Sequence, residues 1–142
     1  MRVLVSRGAG WNLGMIRILP LRGLVALAYM GGVISLSAIP GRQIVRWGLS
    51  RYTLDLLHIP LFTGLALVTL WAVVAPRSRR ALWILVALTL FAGVDEVLQL
   101  WVPGRVASFA DFARDTFGIA VGIALSEGVR PIALALRRES ER

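Results

Sequence analysis

Apolar residues recur along the chain in four long runs, separated by short segments rich in Pro, Gly and Arg. The runs cover residues 20–39, 56–75, 81–101 and 107–126. The first stops at Pro40-Gly41, the second is closed by PRSRR, and the third gives way at Pro103. About 20 helical residues cross a hydrocarbon core, so each run has the length of a span. The third and fourth reach that length only by taking acidic ends into the membrane. The pattern predicts an all-α fold, an integral membrane bundle of four transmembrane helices, organised as a single domain over residues 1–142.

Composition agrees with the pattern. The chain is 57% hydrophobic and 17% charged, with a mean hydropathy of +0.73. A soluble domain of this size cannot bury so much apolar surface, which leaves the bilayer as the solvent. The net charge of +8 is carried by Arg without Lys. These arginines sit between the apolar runs instead of along one face, which argues against nucleic acid. The absence of Cys excludes disulfides and thiolate metal sites.

Basic residues favour the cytoplasm. Arg2, Arg7, Arg17 and Arg22, the Arg77–Arg80 cluster and the C-terminal Arg130, Arg137, Arg138 and Arg142 outnumber Arg42, Arg46, Arg51 and Arg105. The expected topology is therefore a multi-pass cell-membrane protein with both termini cytoplasmic. The first run has a long basic flank and no convincing small-x-small cleavage site before Pro40, so it reads as an uncleaved anchor.

This topology gathers polar groups from three spans into one extracytoplasmic layer. The second span brings Asp55 and His58, the third ends with Asp95, Glu96 and Gln99, and the fourth opens with Ser108, Asp111, Arg114 and Asp115. A charge at the bilayer centre costs about 2.5–3.5 kcal/mol on insertion scales, and less near the interface. Asp95 and Glu96 lie one to two turns inside their span, and Gln99 shares a helix face with each. They read as the lining of a polar pocket more readily than as a solvated helix end. Ser108 and Asp111 have the form of a capping box, a reading of equal weight with a place in the pocket. Asp115 lies a turn deeper, and its repulsion with Asp111 at i,i+4 calls for something positive between them, Arg105, Arg114 or a cation. Asp55 stands one turn before His58, where it can hold the imidazole tautomer. Pro60 predicts a disturbed start to that helix.

Other patterns read as packing. Gly118-Ile-Ala-Val-Gly122 is a G-x-x-x-G in an apolar helix, suited to close packing within the chain or to a homo-oligomer. In RQIVRWGLSRY, Val45, Leu49 and Tyr52 share one helical stripe while Arg42 and Arg46 share another, predicting a surface helix whose arginines attract an anion. The first and third runs both end in PGR, a weak repeat.

Taken in order, D-x-x-H, E-x-x-Q and P-G-R-x-x-S-x-x-D-x-x-x-D-x-x-G-x-x-x-G resemble the VanZ-like family of small bacterial membrane proteins. The likeness runs from Ser37, in an S-x-x-P, to about Gly122. The family's founding member is associated with resistance to the glycopeptide antibiotic teicoplanin. The resemblance implies a cell-envelope role and places the family's polar signature on Asp55, His58, Glu96, Gln99, Arg105, Ser108 and Asp111, with Gly118 as its packing glycine. The chain departs from the common pattern at Asp115, where many relatives have Asn, and at Ile59-Pro60, where an aromatic often follows the His.

Two functions stand out. One is an envelope protein whose outer pocket, lined by Asp55, His58, Asp95, Glu96, Gln99, Arg105, Ser108, Asp111 and Asp115, takes a lipid-linked precursor or a lipoglycopeptide and lowers teicoplanin susceptibility. The other is a membrane-embedded hydrolase or transferase acting on a lipid phosphate, with catalytic candidates His58, Glu96 and Asp111. The carboxylates leave room for a divalent cation, although no metal ligand set is assigned. A transporter ranks last, because the charges cluster at one side of the membrane. Beyond membrane lipids, the expected partners are those ligands and a second copy of the chain through Gly118 and Gly122.

Overall fold

A computed structural model describes residues 17–48 and 50–140. Its helices are α1 (Pro20–Ser37), α2 (Gly41–Arg46), α3 (Arg51–Ala72), α4 (Arg77–Gln99) and α5 (Phe109–Ser140). Two residue pairs, β1 (Arg17–Ile18) and β2 (Val73–Val74), form a small antiparallel ladder that the apolar pattern does not announce. It ties the start of α1 to the end of α3, together with a hydrogen bond from Leu19 N to the Ala72 carbonyl at 3.1 Å. The expected all-α fold stands.

The helix limits follow from local chemistry. Pro20 sits in the first turn of α1, where its missing N–H costs nothing. Ser50 caps α3, its hydroxyl accepting from Thr53 N at 3.0 Å. The cap starts the helix at Arg51, ahead of the apolar run, and Pro60 lies inside it without breaking it. This corrects the expectation of a disturbed helix start there. The proposed surface stripe is also interrupted. α2 ends at Arg46, and Gly48 follows with φ +70°, so Val45 and Tyr52 do not share one helix. Leu49 lies outside the described residues.

Among the described residues, three helices are long and apolar enough to cross a membrane: Pro20–Ser37, Tyr52–Ala72 and Arg79–Gln99, with mean hydropathies of 1.3, 1.6 and 2.0. Their outward faces are apolar, with Leu24, Leu27, Leu82, Trp83 and Leu90 exposed, as expected of a bundle solvated by lipid. α5 differs in carrying Asp111, Arg114 and Asp115 in its first turns.

α3 is the centre of the bundle, packed against α1, α4 and most extensively α5. Phe62, Leu65, Ala66 and Leu70 of α3 meet Val33, Ile84, Leu88, Ala92 and Ile119 in one core. Gly118 and Gly122 bring α5 against α3. A Cβ at Gly118 would stand 2.5 Å from the Ile59 carbonyl oxygen, and one at Gly122 2.7 Å from that of Thr63. The Thr63 hydroxyl donates to the Gly118 carbonyl at 2.9 Å across the same seam. The close approach offered by these glycines is thus taken up inside the chain.

The antiparallel course places the α1–α2 and α4–α5 turns, both PGR, at one end of the bundle. Arg22, stacked 4.6 Å over the Trp71 ring, and Arg80, which donates to Glu127 at 3.1 Å, mark the opposite end.

Candidate functional site: a cavity over buried carboxylates

The weak PGR repeat acquires a physical meaning in three dimensions. Gly41 N donates to the Pro103 carbonyl at 3.1 Å, and a side chain on Gly41 would overlap the Gly104 carbonyl oxygen. Gly104 itself has φ +78°, a conformation that L side chains adopt only with strain. The two turns form one seam, which brings Arg42 and Arg105 to the same rim.

Beneath the seam, the last turns of α4 bury Asp95, Glu96 and Gln99. The Asp95 Oδ2 accepts from the Ser37 hydroxyl at 2.7 Å and from Gln99 Nε2 at 3.3 Å. Ser37 ends α1, so the S-x-x-P of the sequence supplies a buried donor to an acid 58 residues away. Glu96 Oε2 accepts from Ser108 N at 2.7 Å. Ser108 in turn accepts from Asp111 N at 3.3 Å through its hydroxyl. Only this half of the expected capping box forms. The reciprocal acceptor is Glu96 of another helix, and Asp111 instead pairs with Arg114.

His58 also has a different partner from the one its spacing suggests. Its Nδ1 lies 2.7 Å from Asp115 Oδ1, with the Asp115 side chain fully buried. Asp55 faces Arg114 at 3.8 Å. On α3, residues i and i+3 share a face, but α5 brings a deeper and drier carboxylate to the ring. The repulsion expected between Asp111 and Asp115 is relieved by separate partners, Arg114 for the first and His58 for the second.

A cavity of about 930 Å³ opens above these groups. Arg42, Arg46, Arg105 and Arg114 line it, with Asp55, His58, Gln99, Ser108 and Asp111. Asp95, Glu96 and Asp115 are not part of its wall and lie behind it, next to His58, Gln99 and Ser108. The polar layer therefore divides into an arginine-rich chamber and a buried acidic floor. Within that floor Asp95 Oδ1, Glu96 Oε1 and Asp115 Oδ2 have no hydrogen-bond partner among the described residues. Each such atom costs about 1–3 kcal/mol, more than a packing role alone justifies. One donor atom from each of His58, Glu96 and Asp115 lies within 4.8 Å of the others, so among the described residues these three could hold a metal.

The sequence reading did not single out Glu127, which accepts from the buried Arg80. The available signal was an acid near the end of an apolar run, opposite the Arg77–Arg80 cluster.

The VanZ/LLP1 family model matches residues 14–130, and the chain belongs to that family. No curated protein and no solved structure matches it. Family and apolar helices together make it a multi-pass membrane protein.

Proposed function

We propose that this VanZ/LLP1 protein crosses the cell membrane four times, with the first half of α5 as the fourth span and both termini cytoplasmic. Its cavity then faces the extracytoplasmic side and holds the phosphate-bearing head group of an envelope lipid. The charge of the cavity carries this reading: four arginines against Asp55 and Asp111. Guanidinium groups grip phosphate through paired N–H donors. The volume suits a head group, and Val45, Trp47, Val106 and Phe109 expose apolar surface near the cavity for a lipid chain. Holding a lipid-linked wall precursor in this way would also alter the target of teicoplanin-type lipoglycopeptides, as expected of the family.

The His58–Asp115 pair favours a second reading, hydrolysis or transfer at the bound phosphate. With Nδ1 donating to Asp115, the Nε2 lone pair is free to take a proton from water or an alcohol as its oxygen attacks phosphorus, and the imidazolium returns that proton to the ester oxygen as it leaves. Asp111, paired with Arg114, fits head-group positioning better than acid catalysis.

The test is binding of a polyprenyl phosphate to the protein in nanodiscs, against the corresponding polyprenol. The phosphate is expected to bind at least about tenfold more tightly, a preference of about 1.4 kcal/mol. Arg105→Ala should remove most of it. Equal affinity for the alcohol would sink the reading. Phosphate release that disappears in His58→Ala, with binding retained, would select the enzyme over the binder. Teicoplanin susceptibility of a Gram-positive host expressing the intact protein, Glu96→Gln or Arg105→Ala then reports the envelope consequence.

A further inference from the structure

Three buried acids lie side by side at the PGR end, and they are not equally provided for. Asp95 receives two side-chain donors, from Ser37 and Gln99. Among the described residues, Glu96 receives one backbone N–H, and Asp115 only the His58 ring. The Oε1 of Glu96 and the Oδ2 of Asp115 are without a partner, on side chains that are almost wholly out of contact with solvent.

We infer that His58, Glu96 and Asp115 hold a divalent metal ion beneath the cavity. The three come from α3, α4 and α5, so the site exists only in the packed bundle. Donor atoms around an ion bound at about 2.0–2.2 Å stand about 3–4 Å apart. A cluster within 4.8 Å reaches that spacing by small side-chain adjustments. Charge points the same way. With both carboxylates ionised and the imidazole neutral, as in a metal-ligating state, the three sum to −2, and the nearby Arg114 is engaged by Asp111 and Asp55. Two buried negative charges without a cation are costly, and one divalent ion balances them. One nitrogen and two carboxylates suit Zn²⁺ or Mn²⁺ better than Ca²⁺, which prefers more oxygen ligands.

His58 belongs to both the floor and the cavity wall, so it links the inferred ion to the chamber. There a phosphate oxygen would complete the shell. That last step rests on the function proposed above, whereas the metal site does not.

The experiment uses full-length protein in detergent, stripped with chelator, desalted and titrated separately with Zn²⁺ and Mn²⁺. Bound metal is counted by mass spectrometry, and thermal unfolding is followed in parallel. The expected result is one ion per chain and a raised Tm. His58→Ala, Glu96→Gln and Asp115→Asn should each weaken binding by at least the roughly 10–100-fold that loss of an outer-shell partner costs. Glu139→Gln, an exposed acid far along α5, should bind as the intact protein does. Circular dichroism identifies any variant that fails to fold. No saturable binding by the folded intact protein overturns the site, whatever the variants do. Saturable binding that survives all three substitutions overturns it as well, because the ion then sits elsewhere. Polyprenyl phosphate affinity, measured with and without the ion, tests the link separately. An unchanged affinity removes the link to phosphate. Failure of the lipid phosphate to bind at all overturns the proposed function and leaves the metal site standing.

Discussion

The two ends of the bundle both bury charge, and they do so differently. At the end away from the PGR seam, Arg80 meets Glu127 at 3.1 Å, opposite charges in contact, although the Arg80 Nε has no hydrogen-bond partner among the described residues. At the PGR end, Asp95, Glu96 and Asp115 crowd together with one imidazole and leave three carboxylate oxygens without hydrogen bonds. A matched pair is what helix docking needs, since it ties α4 to α5 and holds their register. The acids of the PGR end also join helices through Ser37, Ser108 N and His58, but their surplus of one sign goes beyond what those contacts use and lowers stability. On the metal site inferred above, the contrast is that between a joint and a site, drawn on physical grounds without recourse to the family.

The largest test of this contrast is at the joint. Arg80→Gln removes the guanidinium that Glu127 accepts from, and should cost about 3 kcal/mol, the lower end for a broken buried pair. Denaturant unfolding in mixed micelles reads this, while polyprenyl phosphate affinity of the folded fraction should not move. A change in affinity larger than the change in folding would join the two ends functionally and dissolve the comparison.

The opposite sign is expected at the site. In chelator-stripped protein, Asp115→Asn removes a buried negative charge while its Oδ1 can still accept from His58, and should raise stability by about 1–2 kcal/mol, while metal binding is lost. Destabilisation by this substitution would mark Asp115 as a docking residue of the same kind as Glu127. The smallest effect belongs to the seam. Gly104→Ala forces a Cβ into φ +78° and should cost about 1 kcal/mol. Because the seam sets the position of Arg105, the same variant should weaken polyprenyl phosphate binding more than its stability loss explains. Binding that falls only in step with stability would reduce the seam to a turn.

Much of the architecture was legible in the chain. The apolar runs marked α1, α3, α4 and the start of α5, because the 20-residue length demanded by a bilayer is a local property. The polar layer was legible too, since its members sit at span ends that topology must bring together. Partner choice was not. The sequence offered His58 its neighbour Asp55, and the fold gave it Asp115, 57 residues away. It offered Ser108 a reciprocal cap from Asp111, and the fold supplied Glu96. The limits of α3 were missed for a smaller reason: Ser50 captures the Thr53 N–H and starts the helix before the apolar run begins.

The sequence by itself determined a membrane-embedded helical chain, its family likeness and which residue types crowd at one end. Periodicity, length and turn residues are short-range quantities and need no partner to be read. Only the tertiary structure decided that the two PGR turns form a single seam, that the arginines line a chamber while the acids lie beneath it, and that His58, Glu96 and Asp115 converge. Those facts depend on how closely α5 packs against α3. Gly118 and Gly122 set that approach by leaving out two side chains, and no pattern along the chain specifies which helix will fill the space.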